Sequence, residues 1–260
     1  MMTPDGTQLE EILNFAVASA KLAGAITLEY FGSDAPYELK ADNTPVTRAD
    51  REAEECLRAR IEKSFPTHGI LGEEFGEKTG SEPARWILDP IDGTVSFISG
   101  VPFYSVLVGL EWGGEMLAGV IHLPALRETV YAARGLGCWC DGRPARVSDV
   151  AEISQAHVST TSMNTHAKLG SAAAYSRLRG ACRLDRGWAD AYAFALLATG
   201  RIDVAVEPIM SIWDNAAPAA VVAEAGGTFT DWSGNRTHTA PEALATNGKL
   251  LAAVVQRLRG

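Results

Sequence analysis

The hexapeptide Asp89-Pro90-Ile91-Asp92-Gly93-Thr94 constrains this chain more than any other segment. It follows the strand-like run Trp86-Ile87-Leu88 and places two carboxylates three residues apart in a tight loop. Pro90 stiffens the backbone there, and Gly93 permits close approach to a ligand. An ordinary surface turn has the same residue types, so the segment alone leaves a binding loop and a simple turn equally open.

A loop of this kind can hold hard divalent cations. Asp89 can bridge two ions, while Asp92 and a backbone carbonyl between them supply further oxygen ligands. The segment has no thiol or imidazole, which argues against zinc and favours Mg²⁺. If a helix begins at Gly93 and Thr94, its free amide groups can bind a phosphate at the same place.

Further acidic residues lie near the ends of other predicted elements. Glu73 and Glu74 follow a short strand-like run, and Asp214 lies at a predicted helix start. Asp50 is the third residue after Thr47, which is a predicted helix cap. Each has an ordinary alternative, since the glutamates suit a solvated loop, Asp214 suits an N-cap and Asp50 suits an acceptor of amide hydrogen bonds.

Composition limits the classes of fold and partner. With 260 residues, 47% hydrophobic and 21% charged, the chain can bury a sizeable core in two packed lobes, for which we expect residues 1–150 and 151–260. The net charge of −9 and the lack of a basic stripe argue against a nucleic-acid partner. No leader or stretch of about 18 apolar residues is evident, so we expect a cytoplasmic protein without a membrane partner.

Periodicity predicts an α/β arrangement. The first helix is expected to begin at a Thr7 cap and to end near Tyr30, and strands are expected over 106–111, 117–122 and 129–133. The second half alternates a strand at 156–160, helices at 167–179 and 189–199, a strand at 203–207 and a helix after Asp214. The four cysteines match no zinc or redox spacing, and the five histidines are expected in turns or on the surface.

The order of these motifs carries more information than any one of them. Gly72-Glu73-Glu74, the hexapeptide, Trp213-Asp214 and Glu224-Ala225-Gly226-Gly227, preceded by the segment from Thr44 to Asp50, together resemble the inositol monophosphatase superfamily. The resemblance implies a layered αβαβα sandwich of the inositol monophosphatase/fructose-1,6-bisphosphatase type, commonly a homodimer, with two or three Mg²⁺ ions per site. The metal ligands that it implies are Glu73, Asp89, the carbonyl of Ile91, Asp92 and Asp214.

The same resemblance implies a phosphatase that acts on a small phosphorylated metabolite. One metal would activate a water for in-line attack on phosphorus, with Glu73, Thr94 and Asp50 orienting that water. A second metal would stabilise the leaving alkoxide without a covalent intermediate. The substrate contacts expected from the resemblance and from the flanking residues are Asp92, Gly93, Thr94, Asp190, Glu207 and Asp214.

Flanking residues are similar to those of the histidinol-phosphate phosphatase branch. Thr94-Val95-Ser96-Phe97 keeps the serine of that branch but lacks its lysine, and Trp188-Ala189-Asp190-Ala191-Tyr192 resembles its G-D-x-Y segment. Asp190 and Glu207 could together hold an ammonium group, with Trp188 as a wall for an imidazole ring. Asp190 equally suits a helix N-terminus, where an acid complements the dipole.

Two other functions remain open. One is an inositol monophosphatase or broad-specificity sugar phosphatase on the same fold. The other is a non-catalytic regulatory protein that uses the fold for binding. A regulator could lose metal ligands freely, yet none of the expected ligands is missing from this sequence.

Overall fold

The protein forms five layers in the order helix, sheet, helix, sheet, helix. The computed structural model describes residues 3–32, 37–39, 45–188 and 190–260. Three buried clusters fill the spaces between successive layers, and alternate residues of the sheets face different clusters. The predicted αβαβα architecture is confirmed, whereas the lobe boundary near residue 150 stays a prediction.

Eight α-helices are present in the described part of the chain. They are α1 (Gly6–Tyr30), α2 (Arg48–Ser64), α3 (Thr94–Ile98), α4 (Met163–Lys168), α5 (Ala172–Ala181), α6 (Asp190–Ala198), α7 (Ile212–Glu224) and α8 (Leu251–Arg259). Helices α1 and α2 form one outer layer, α6 and α7 lie between the sheets, and α5 and α8 form the other outer layer.

The first large sheet has eight strands and follows a small hairpin of β1 (Tyr37–Leu39) and β2 (Pro45–Thr47). Its strands are β3 (Gly69–Gly72), β4 (Gly76–Lys78), β5 (Ala84–Asp92), β6 (Ser105–Trp112), β7 (Glu115–Leu123), β8 (Glu128–Ala133), β9 (Gly137–Cys140) and β10 (Arg143–Ala145). Their order is β10-β9-β8-β7-β6-β5-β3-β4, and only the β3/β5 pair is parallel among them.

The second sheet has five strands and lies on the other side of α6 and α7. Its strands are β11 (His157–Ser159), β12 (Leu184–Arg186), β13 (Val204–Glu207), β14 (Thr228–Thr230) and β15 (Ala243–Thr246). Their order is β12-β11-β13-β15-β14, with β11 parallel to both of its neighbours. Parallel strands end at the same edge of a sheet, so the residues that follow β11 and β13 lie close together at that edge.

Helix α1 belongs to the core of the outer helical layer. By length and composition it is the one helix in the described ranges that could cross a membrane. Its apolar face, which includes Leu9, Leu13 and Ala16, packs with α2 and the eight-stranded sheet. The burial of this face accounts for its apolar composition.

The start of α1 differs from the prediction. Asp5, not Thr7, caps the helix, because Asp5 Oδ1 accepts the Gln8 amide at 3.0 Å and the Gln8 side chain accepts the Asp5 amide at 3.0 Å. The capping residue expected for α2, Thr47, is confirmed together with its reciprocal partner Asp50. Both helices begin with a capping box, but in α1 the capping residue lies two positions earlier than predicted.

The helix expected over 167–179 is in fact two helices. Helix α4 ends at Lys168 and α5 begins at Ala172, with Gly170 between them at φ 76°. Glycine adopts this left-handed conformation without a steric cost and commonly ends helices. Two residues of the sequence motifs, Thr44 and Ala189, lie outside the described residues.

Three histidines are buried, which contradicts their expected surface positions. His68, His122 and His166 are 7%, 7% and 0% exposed. Side chains from other elements contact ring nitrogens of two of them: the Trp86 indole donates to His68 Nδ1 at 3.1 Å, and His122 Nδ1 lies 3.0 Å from Thr129 Oγ1. Burial lowers the pKa of His122 to about 4, so this ring is neutral near pH 7.

Two glycines let α7 lie close to the eight-stranded sheet. Gly109 and Gly119 are cross-strand partners on β6 and β7, directly beneath Ala216 and Ala217. A Cβ on Gly119 would lie 2.3 Å from the Ala217 carbonyl oxygen, which is a backbone atom and cannot turn away. These glycines therefore set how near the start of α7, with Asp214, approaches the end of β5.

We expect Gly119→Ala to destabilise the protein by about 1–3 kcal/mol, because the added methyl pushes α7 away from the sheet. Gly180→Ala is the matched control, since its Cβ would meet nothing within 4 Å inside α5. That control should be neutral or stabilising by up to about 1 kcal/mol. Urea denaturation of both variants measures the difference, and equal stability of the two variants would contradict the close-packing argument.

Candidate active site

One cavity collects nearly all of the residues predicted to be functional. It has a volume of about 560 Å³ and opens where the eight-stranded sheet, α6 and α7 meet. The predicted residues that line it are Glu73, Asp89, Ile91, Asp92, Gly93, Thr94, Asp190, Glu207 and Asp214. Asp50 and Trp188 are the predicted site residues that do not line this cavity among the described residues.

The strand exits explain why residues distant in sequence meet here. Strands β3 and β5 are parallel with Gly72 opposite Leu88, so Glu73 leaves the sheet beside Asp89. The Glu73 amide donates to the Leu88 carbonyl at 3.2 Å, which ties the two exits together. The pairing of β5 with β6 is irregular between Asp89 and Asp92, and this bulge turns the end of the strand toward the cavity.

The turn after β5 depends on Gly93. This residue has φ 82° and directly precedes α3, so the chain changes from strand to helix at the predicted position. Asp89 Oδ1 accepts the Ile91 amide at 3.0 Å, and the Thr94 hydroxyl donates to the Ile91 carbonyl at 3.2 Å. The loop is therefore held by its own side chains, and the simple surface turn is excluded because Asp89, Ile91 and Asp92 are buried.

Three carboxylates form a compact cluster at the bottom of the cavity. One oxygen from each of Asp89, Asp92 and Asp214 lies within 4.8 Å of the others. Asp214 joins the two β5 residues as the third residue of α7, where it also accepts the Ser211 amide at 2.7 Å. Its expected position at a helix start is confirmed, although Ser211 rather than Asp214 is the cap.

Burial raises the pKa values of the whole cluster. It raises the pKa of Asp92 to about 8 and that of Asp214 to about 7, and it holds the pKa of Asp89 well above its usual range. Neighbouring negative charges act in the same direction. Within the described part of the chain, no lysine, arginine or histidine forms an ion pair with these three aspartates.

Such a cluster fits a hard divalent cation. Buried carboxylates that repel one another and lack a basic partner are costly unless a cation replaces the missing charge. All of the candidate ligands offer oxygen, and no cysteine or histidine lines the cavity among the residues described. The residues present therefore suit the chemistry of Mg²⁺ better than that of zinc.

Asp50 lies behind the cavity. Its Oδ2 accepts the Thr47 amide at 2.7 Å and the Thr47 hydroxyl at 2.6 Å, so the ordinary capping role is confirmed. Burial raises the pKa of Asp50 to about 6, and the charge of Glu73 adds to the increase. A catalytic role for Asp50 would act through this proximity to Glu73 and stays a prediction.

Asp190 and Glu207 also line the cavity and form a second acidic pair beside the metal cluster. Glu207 ends β13 and is 4% exposed, while Asp190 begins α6 with the unusual φ of 55°. Burial raises the pKa of Asp190 to about 6 and that of Glu207 well above its usual range, and in Glu207 the charge of Asp190 contributes. The negative charge of Asp190 therefore acts on the Glu207 carboxylate within the same cavity.

The pair is joined to the metal cluster through the start of α6. The Ala191 amide donates to Asp92 Oδ2 at 2.7 Å, and Ser105 Oγ donates to the same oxygen at 2.9 Å. A Cβ on Gly93 would lie 2.5 Å from Asp190 Oδ2, so only glycine fits there. The predicted metal loop and the predicted amine site are thus in direct contact.

Sequence reasoning missed part of the lining and misplaced one residue. Thr161, Ser162, Ile209 and Met210 also line the cavity, and the first two follow the exit of β11 as Glu73 follows β3. The strand-exit rule could have found them. Trp188, expected as a wall for an imidazole ring, instead packs against the apolar core between the sheets and does not line the cavity.

The fold and the acidic cluster agree with comparisons to known proteins. A family model described as the inositol monophosphatase family matches residues 8–259. The chain belongs to the inositol monophosphatase family. It is therefore a phosphatase that acts on a small phosphorylated substrate, as the order of motifs predicted.

Individual members of the family are similar over almost the whole chain. The histidinol-phosphatase of Chlorobaculum parvum is 44% identical over 94% of this chain and 92% of its own length. The histidinol-phosphatase of Mycobacterium tuberculosis is 40% identical over 95% and 97%. Among solved structures, the Thermotoga maritima IMPase has a TM-score of 0.87 at 32% identity, covering 96% of this chain and 97% of that one.

Proposed function

We propose that this family member is a Mg²⁺-dependent histidinol-phosphate phosphatase, which hydrolyses L-histidinol phosphate to L-histidinol and phosphate. The observation that carries the proposal is the second acidic pair, Asp190 and Glu207, in the same cavity as the metal cluster. Metal ions account for the first cluster. The second pair would be neutralised by a positively charged group of the substrate.

The charge of the lining supports a substrate with an ammonium group. Six acidic residues line the cavity, namely Glu73, Asp89, Asp92, Asp190, Glu207 and Asp214, and no basic residue does so among those described. An anionic phosphate can approach such a surface only where bound cations compensate it. An ammonium between Asp190 and Glu207 would gain charge-assisted hydrogen bonds, which a neutral polyol cannot match.

The mouth of the cavity supports a substrate with a ring. Val95 and Ile209 line it with 65% and 62% of their surface exposed. Apolar side chains that line a ligand pocket can pack against an apolar part of the ligand. An imidazole lying against these two residues would leave the ammonium inside and the phosphate at the metal cluster.

We assign the metal ligands to Glu73, Asp89, the carbonyl of Ile91, Asp92 and Asp214, with two or three Mg²⁺ ions per site. When bound, these ions would supply an activated water and neutralise charge on the phosphate and the leaving oxygen. The Thr94 hydroxyl already donates to Ile91, so its oxygen is free to accept a hydrogen bond from that water. Glu73 would orient the same water, with Asp50 behind it.

The second candidate is an inositol monophosphatase or a broad-specificity sugar phosphatase. It is favoured by the similarity to the Thermotoga maritima IMPase, and the carboxylates of Asp190 and Glu207 could accept hydrogen bonds from hydroxyl groups. We consider a non-catalytic regulator the least suitable, because every expected metal ligand is present. A cytoplasmic homodimer without a nucleic-acid partner belongs to the proposal as well, and light scattering tests its oligomeric state.

Replacing Asp190 with asparagine tests the amine site. Asn tolerates the left-handed backbone of Asp190 but lacks its charge, so kcat/KM for histidinol phosphate should fall roughly 10- to 100-fold, as expected for one charge-assisted hydrogen bond. The loss for inositol 1-phosphate should stay below about threefold. Phosphate release is measured with Mg²⁺ and after chelation.

Asp185→Asn is the control, since Asp185 is an exposed aspartate on β12 outside the cavity. It should leave both reactions close to those of the unchanged enzyme. Equal losses on the two substrates in Asp190→Asn would exclude an ammonium site. A wild-type enzyme with comparable or greater activity on inositol 1-phosphate would support the second candidate instead.

A further inference from the structure

Thr161 bridges the two acids of the proposed amine site. Its hydroxyl oxygen accepts the Asp190 amide at 2.9 Å, and its own amide donates to Glu207 Oε1 at 2.7 Å. These three residues come from three different elements, since Thr161 follows β11, Asp190 begins α6 and Glu207 ends β13. One residue therefore contacts both carboxylate-bearing positions.

We infer that Thr161 is a positioning residue that fixes Asp190 and Glu207 as one ammonium-binding pair. The inference rests on the proposed function, because the pair has this role only for an aminated substrate. No feature of the sequence motifs assigns a role to Thr161.

The backbone of Asp190 needs an external constraint. A φ of 55° is uncommon for a residue other than glycine, and it persists where surrounding contacts enforce it. The Ala191 amide is held by Asp92, and the Asp190 amide is held by Thr161 Oγ1. Two neighbouring amides at the start of α6 are thus anchored by two other residues of the cavity lining, Asp92 and Thr161.

The conformation of Asp190 decides where its carboxylate points. Its Oδ2 occupies the space beside Gly93 and lies 3.5 Å from Ser96 Oγ. If the Asp190 amide loses its acceptor, the residue can relax toward an ordinary helical φ and move the carboxylate away from Glu207. Glu207 itself would keep the Thr161 amide, since that bond involves the backbone and survives substitution of the side chain.

Two substitutions separate the hydroxyl from the shape of the side chain. Thr161→Val keeps the branched shape and removes the acceptor, whereas Thr161→Ser keeps the acceptor. We expect Thr161→Val to raise KM for histidinol phosphate about tenfold with kcat changed less than about twofold, because the loss of one hydrogen bond affects binding rather than the chemical step. Thr161→Ser should stay within about twofold of the unchanged enzyme.

A double-mutant cycle with Asp190→Asn tests whether Thr161 acts through Asp190. Without the carboxylate there is little left to position, so Thr161→Val should change KM less than about twofold in the Asp190→Asn background. A tenfold effect in both backgrounds would mean that Thr161 contacts substrate independently, and this would overturn the inference. An unchanged KM in Thr161→Val, alongside a raised KM in Asp190→Asn, would overturn it while leaving the proposed function intact.

Crystal structures of the two Thr161 variants decide the positioning role without any substrate. In Thr161→Val, Asp190 should leave the left-handed region and lose its place beside Gly93, and in Thr161→Ser it should keep both. If Asp190 is unchanged in Thr161→Val, the positioning role is refuted. A wild-type enzyme that does not prefer histidinol phosphate would refute the proposed function, and the structures would still report on Thr161.

Discussion

Asp92→Asn should lower phosphatase activity by at least about a hundredfold while leaving the fold intact. Removing a partner of a metal ligand typically costs 10- to 100-fold, so neutralising a ligand should cost no less. Asp92 Oδ2 already accepts Ser105 Oγ and the Ala191 amide, which leaves the second oxygen for a cation. The oxygen of asparagine can keep both hydrogen bonds, but its amide nitrogen cannot bind Mg²⁺.

Activity and metal binding are measured together in this test. Thermal unfolding with and without excess Mg²⁺ should show a metal-induced rise in Tm for the unchanged protein and little rise for Asp92→Asn. Asp149→Asn is the matched control, because Asp149 is exposed, pairs with the half-exposed Lys249 and lies outside the cavity. Turnover near the wild-type level in Asp92→Asn, or an undiminished Mg²⁺ effect on its Tm, would refute the assignment of Asp92 as a metal ligand.

The layers of the fold could be predicted because local patterns agree with long-range packing. Thr47 and Asp50 form the capping box that their spacing predicts, and the strands follow apolar runs closed by turn residues. The start of α1 shows the limit of such patterns. Asp5 and Thr7 lie two residues apart and both suit a capping box, so only the three-dimensional contact with Gln8 identifies the actual cap.

The metal cluster was predictable for a different reason. Its residues occupy strand exits and a helix start, and these positions converge in layered α/β folds. The buried histidines were not predictable, because their hydrogen bonds come from residues such as Trp86 and Thr129 on other strands. The position of Thr161 follows from the strand-exit rule, but its contacts do not, since its partners lie 29 and 46 residues further along the chain.

The metal-free protein should become less stable as pH rises from 6.5 to 8. Asp92 and Asp214 have folded pKa values of about 8 and about 7, above the value of about 4 for an unfolded aspartate. The folded state therefore binds more protons than the unfolded state across this window, and a raised acid pKa means that stability is lost as pH rises through it. One proton over this interval corresponds to about 2 kcal/mol, or on the order of 5 °C in Tm.

Between pH 6.5 and 8, histidines and cysteines change the free energy of unfolding less than the acidic cluster does. Burial lowers the pKa values of His68, His122 and His166, so only the unfolded state still loses histidine protons at the start of the window. This contribution favours folding, opposes that of the acids, and fades above about pH 7.5, where the rings are neutral in both states. Thiols such as Cys138, whose pKa burial raises to about 12, begin to oppose folding only near pH 8.5. Between these limits the acidic cavity dominates the change in stability.

Thermal unfolding in chelator at pH 6.5, 7.2 and 8 measures this dependence, and the same series with excess Mg²⁺ identifies its source. Cations that replace the protons should raise Tm most at pH 8 and remove the downward slope, because ionised ligands then face metal rather than one another. Asp92→Asn should flatten the slope in chelator, since it removes the group with a folded pKa of about 8. A Tm that rises with pH in the metal-free protein would contradict the proton balance of the whole cluster, because raised acid pKa values can only destabilise the folded state in this direction.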